Sequence, residues 1–130
     1  MCFKAFAVAA VCAMCFAAPV VAHHSHGNYD LSKWTVMEGK VRQVIFIVPH
    51  SIVYLDVKDE KGEVGTWALE ATNPQGIALR GVKREDVQVG DTIKVRCHLL
   101  RDGARGCLLG FVTPMHGDMA RGHGVEKEWD

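Results

Sequence analysis

An excess of positive charge is missing. Fifteen lysines and arginines face 15 aspartates and glutamates over 130 residues. No basic face is available to attract phosphate backbones, so nucleic acid is not an expected partner. Serine is scarce, with only Ser25, Ser32 and Ser51. None sits in the strained strand-to-helix turn that presents a nucleophilic serine. No glycine-rich phosphate loop follows a strand-like run. Beyond residue 22 no apolar run reaches the roughly 20 residues that span a membrane. These absences leave no catalytic residues to name, and no enzyme is expected.

What is present begins at the amino terminus. Lys4 is the one charge before the uncharged stretch of residues 5–18, and "PVVA" closes the run with small Val20 and Ala22. This is the order of a secretory signal peptide, cut after Ala22. The alternatives are a core helix or a lipoprotein signal. No strongly helical partner segment follows for the first, and Val11 and Met14 are unsuitable residues before Cys12 and Cys15 for the second. Removing residues 1–22 leaves 108 residues beginning at His23, enough for one domain. Lys4 goes with them, so the processed chain carries 14 basic and 15 acidic side chains, a net charge of −1. A periplasmic or secreted location is expected, with no stable membrane span after cleavage.

Cys97 and Cys107 remain after processing, an even pair in an oxidising space. They lie equally far from Asp102, which with Gly103 makes a turn signal between two apolar runs. A disulfide across a hairpin is the expectation, and two free core thiols are the alternative. The pair lacks the Cys-x-x-Cys spacing of a redox centre.

Periodicity predicts an all-β domain with little helix. Strands are expected at 36–48, with a bulge or bend at Gly39, and at 51–58, 64–71, 92–100 and 107–113. Asn73 as N-cap, Pro74 at the first helical position and Gly81 beyond the end predict a short helix after the third strand. That order suits a five-stranded antiparallel OB-like barrel. An open antiparallel sheet or small sandwich is the alternative. The domain plan is then signal peptide 1–22, histidine-containing arm 23–35, barrel 36–113 and flexible tail 114–130. Alternation places Cys97 and Leu99 inward and His98 outward into solvent, with Trp67 in the core and Glu70 on the opposite face.

Several short motifs carry a resemblance: Ala22-His23-His24-Ser25, Pro49-His50, Tyr54-Leu55-Asp56-Val57, Trp67-Ala68-Leu69-Glu70 and the Gly90-Asp91 turn. In this order and spacing the chain resembles, over roughly 22–113, a family of small exported bacterial proteins known as a domain of unknown function. The resemblance implies export and a small β-barrel, and no activity. Val48 stands where that family usually has Asn before Pro-His. If that Asn serves a site, the site is altered here.

Chemistry concentrates in the histidines. After cleavage His23 would carry both an α-amine and an imidazole, a chelating pair suited to Cu(II). His24, His26 or His50 would add a further imidazole. The competing reading is a polar tract beside a cleavage site. His50, after Pro49, is expected on a rim loop, where Glu70 could join it in a ligand site. Asp56 and Glu70 are not placed together by anything in the sequence. His116 and His123 belong to the tail. Two functions compete. One is a module binding a small ligand or an envelope protein. The other is a Cu(II)- or Zn(II)-binding accessory protein using His23, His24, His26 and His50.

Overall fold

The computed structural model describes residues 26–130. Within them the chain forms β1 (Thr35–Ile45), β2 (Ile52–Lys58), β3 (Val64–Glu70), α1 (Pro74–Leu79), β4 (Thr92–Leu99), β5 (Gly106–Pro114) and β6 (Lys127–Glu128). Among the described residues no helix is long and apolar enough to cross a membrane.

β1 is long enough to serve two neighbours. Its first half, Thr35–Lys40, pairs with β4, and its second half, Lys40–Ile45, pairs with β2. The switch needs a bend. A side chain at Gly39 would collide with the Asp56 carbonyl, so only glycine lets β1 cross β2 this closely. The register slip itself falls between Val41 and Gln43, at Arg42, three residues past the expected place.

The strands pair in the order β3-β2-β1-β4-β5, and β3 and β5 then join to close the barrel. That seam is parallel: Ala68, Leu69 and Glu70 pair with Gly106, Cys107 and Leu108. The expectation of antiparallel pairing holds at every other junction of the barrel and is corrected here. A parallel pair needs a long crossover, and the segment through α1 and β4 supplies it. The five-stranded closed barrel with one short helix is the OB-like fold.

Inward residues are those the alternation predicts. Val53, Leu55, Leu69, Ile93, Val95 and Leu109 are fully buried. Trp67 faces inward but is only partly buried against this core. Asn73 caps α1, accepting a hydrogen bond from the Gly76 amide at 2.8 Å. Ile77 of the helix, 2% exposed, joins the core after β3.

Cys97 and Cys107 are joined by a disulfide, with Cα atoms 5.8 Å apart. They do not face one another squarely. Cys97 lies opposite Leu109, and Cys107 opposite Leu99. A slip after Arg96 leaves Gly110 as the extra residue of β5 and shifts the ladder, so the bridge runs diagonally.

The carboxyl-terminal segment corrects the expectation of a flexible tail. β6 adds to β5 through Phe111↔Glu128 and Val112↔Lys127. Trp129 is 1% exposed, donates its amide to Gly110 and accepts from the Thr72 amide. Buried Asp86 pairs with Lys127 at 2.8 Å, and Asp91 pairs with Arg121. The segment has no periodicity because a single indole and a few ion pairs hold it.

Candidate functional site

The β1–β2 loop, residues 46–51, contains a cis Val48–Pro49 bond and delivers His50 to the barrel rim. Proline cannot donate to a sheet ladder, and β2 starts only at Ile52. The His50 ring is held from one side. Its Nδ1–H donates to the Ala71 carbonyl at 3.3 Å and lies 3.4 Å from Glu70 Oε1. Pro49-His50 and the Glu70 that ends Trp-Ala-x-Glu, twenty residues apart in the chain, therefore meet in space.

Glu70 has a second partner. The Tyr29 hydroxyl donates to its Oε2 at 2.6 Å. Tyr29 is buried and sits in the arm, which folds back on the barrel. It bridges to Leu100, Asn28 accepts from the Arg101 amide, and Asp30 donates to Leu99. Burial first, and then the hydrogen bond to the Glu70 carboxylate, push the Tyr29 hydroxyl above its ordinary pKa. It stays protonated and donating across the physiological range.

Tyr29, Glu70 and His50 line an open cleft of about 420 Å³. Ile47, Pro49 and Ile52 supply an apolar wall, and Leu100, Arg105 and Gly106 close the far side. The cleft thus lies over the outer face of β2 and β3, between the β1–β2 loop and the β4–β5 turn. Ile47 and Val48 are exposed beside it, Val48 at 77%. In OB barrels the face over strands 2 and 3, between these two loops, is the usual ligand-binding surface.

The other candidate residues lie apart from it. His23 and His24 lie outside the described residues. His26 is exposed and lines a separate cleft with Trp34, His98 and Phe111. Asp56 accepts from Arg42 and Thr66. It lies four residues beyond Ile52, the β2 partner of Glu70, and pairs instead with Thr66, so the two carboxylates are not brought together. Among the described residues no three His, Cys, Asp or Glu side chains form a metal set.

His98 is a correction. It faces outward from β4 as alternation requires, yet it is 8% exposed. The arm covers it: Nδ1–H donates to the Lys33 carbonyl at 2.6 Å, and the Trp34 ring packs on it at 3.9 Å. Trp34 can lie there because Gly110 below it has no side chain. His116 and His123 are also engaged. His116 Nε2–H donates to the Asp86 carbonyl, and its Nδ1 accepts from the Asp118 amide. His123 Nδ1 accepts from the Gly117 amide.

Sequence reasoning missed Tyr29 and Arg105 as cleft residues. A lone tyrosine in a polar arm was the only available sign of the first, and nothing marked the second.

The profile of a family of unknown function, DUF6152, matches residues 10–109. No curated protein matches the sequence. Among solved structures, the crystal structure of the mitochondrial single-stranded DNA binding protein Rim1 from S. cerevisiae aligns over 66% of this chain and 97% of that chain. The identity is 10% and the TM-score 0.48.

Proposed function

The chain belongs to the DUF6152 family, whose function is unknown, and from that premise we propose that it is an exported binding module rather than an enzyme. The observation that carries this reading is the hydrogen-bonded series Tyr29–Glu70–His50 at the floor of an open, largely apolar cleft. Three segments distant in sequence are needed to build it. A cleft with apolar walls and a few fixed polar groups is the usual form of a small-ligand site. No serine nucleophile or phosphate loop accompanies it. Fold alone assigns no activity, so the site's chemistry bears the argument.

Export is supported by the charge-free run of residues 5–18 and the small residues Val20 and Ala22. The diagonal Cys97–Cys107 bridge favours an oxidising compartment, periplasmic or extracellular. Intact mass of the protein from the envelope fraction should correspond to a chain starting at His23. Recovery there of the full 130 residues would contradict processing.

The binding role is tested by titrating the processed chain with benzoate and indole and following its backbone amides by NMR. Shifts should concentrate in 46–52, 68–71 and 100–106. Shifts scattered over the barrel, or centred on another face, would overturn the assignment of the cleft.

A further inference from the structure

We propose that the open end of the barrel is a second ligand site, which takes a free apolar α-amino acid. This site goes beyond the cleft described above and does not depend on it.

The first support is a core left unfilled at one end. The end that β3 runs toward is closed by α1 and Trp129, whose Ile77 and indole are buried. At the opposite end Met37 of β1, Val57 of β2, Trp67 of β3 and Leu99 of β4 wall an opening of about 350 Å³. Val53, Leu55, Leu69 and Val95, further in, are fully buried. Val57, Trp67 and Leu99 are only partly so. An apolar hollow with few polar groups at its edge is the usual form of a small-ligand site.

The second support is the seating of Arg105 at the edge of this opening. Its carbonyl accepts from the Ala68 amide at 3.1 Å, which ties the residue to β3. Its guanidinium lies against Gly65, where an added Cβ would stand 2.8 Å from Nε and Cζ. The missing side chain is thus the notch in which the flat guanidinium rests. Among the described residues the Arg105 side chain has no hydrogen-bond or ion-pair partner. Its N–H fork is therefore available to a carboxylate, the group that its planar geometry matches best.

The third support is a carboxylate on the same edge. Glu63 lines the opening two residues before Gly65, about 7 Å away along an extended chain. Its carboxylate also has no partner among the described residues. Asp59, the other acid of the opening, is committed to its own turn. Its Oδ1 accepts from the Lys61 and Glu63 amides at 2.8 and 2.9 Å. A cation and an anion held apart above an apolar hollow match a molecule that joins a carboxylate, an ammonium and an apolar body. An α-amino acid bears all three on one carbon. A plain carboxylate would be repelled by Glu63, and a plain amine by Arg105.

The test titrates the processed chain with L-phenylalanine, 3-phenylpropionate and phenethylamine, which share an apolar body and differ in charge. Backbone amides are followed by NMR. Phenylalanine should give saturating shifts centred on 35–37, 57–59 and 63–67. Each analogue lacks one charged group and should bind about tenfold more weakly, the order lost with a hydrogen bond to a charged group. Arg105→Met and Glu63→Gln should each weaken phenylalanine by about the same factor. Gly65→Ala should do so with an unchanged melting temperature, because the added methyl meets only the flexible end of Arg105. Glu60→Gln, outside the opening, should bind normally. Equal affinity for 3-phenylpropionate would overturn the proposal, as would full affinity in Arg105→Met. Shifts that fail to saturate, or that centre on 46–52, would overturn it too. Benzoate and indole report on the cleft through 46–52, so either reading can fail while the other stands.

Discussion

The Tyr29 hydroxyl donates a hydrogen bond to Glu70 Oε2 at 2.6 Å, across 41 residues of sequence. This contact closes the arm onto the barrel and fixes the carboxylate that steadies His50. It also sets an alkaline limit. The folded pKa of Tyr29 is raised above the ordinary tyrosine value near 10. The stabilising contribution is therefore complete below that ordinary value and is lost as pH rises through the folded one. In a Tyr54→Phe background, the remaining phenolate absorbance should appear only well above pH 10 or on unfolding. Tyr29→Phe should cost about 1–3 kcal/mol in a urea melt, the usual range for losing a hydrogen bond to a charged group.

Trp129 anchors the carboxyl-terminal segment. Its indole is 1% exposed in the core, and the Phe46 ring lies 6.2 Å away. Trp129→Ala should destabilise the protein by about 3–5 kcal/mol, as large-to-small core changes do. Proteolysis should then cut within 115–126, which wild type should resist. Equal resistance in both would show that the ion pairs alone hold the segment.

The Cys97–Cys107 bridge spans ten positions of sequence and lies at the parallel seam, where Leu69 pairs with Cys107. Closing so short a loop is worth about 2–3 kcal/mol. The Cys97→Ala, Cys107→Ala double variant should lose that much in denaturant melts. Thiol labelling of denatured, unreduced wild type should find no free cysteine.

Acid should release the carboxyl-terminal segment before it melts the barrel. Burial alone would raise the Asp86 pKa, but hydrogen bonds from Lys127 and the Lys83 amide outweigh it and hold it low. Asp91 is likewise lowered against its burial, by Arg121 and the Gln88 amide. Depressed carboxylates contribute fully above the unfolded value near 4, and the contribution fades as pH falls through the folded value. Stability should be flat above about pH 5 and decline below about 4. Lys127→Met with Arg121→Met should flatten that decline.

The barrel was readable where alternation governs. Val53, Leu55, Ile93 and Val95 face inward because period-2 patterning is a local property. The cap at Asn73 is local too, and so is the approximate hairpin symmetry of the cysteines. The parallel seam was not readable, since β3 and β5 meet only after the chain has closed on itself. His98 illustrates the same limit: its outward parity was right, but Lys33 and Trp34 cover it from another segment. Trp129 and Tyr29 were hidden for a related reason. Each is one large side chain in a polar, aperiodic stretch, and a single anchor leaves no period. Of the site, His50 and Glu70 were visible as separate candidates, while their contact and their link to Tyr29 emerge only in three dimensions.

The central claim is that the cleft between the β1–β2 loop and the β4–β5 turn is the working surface. A crystal structure of the processed chain soaked with benzoate and indole addresses it most directly. The account predicts a probe seated against Ile47 and Ile52, its polar atoms within hydrogen-bonding distance of His50, Glu70 or Arg105. Probe density on another face, with Tyr29, Glu70 and His50 contacting none of it, would contradict the account.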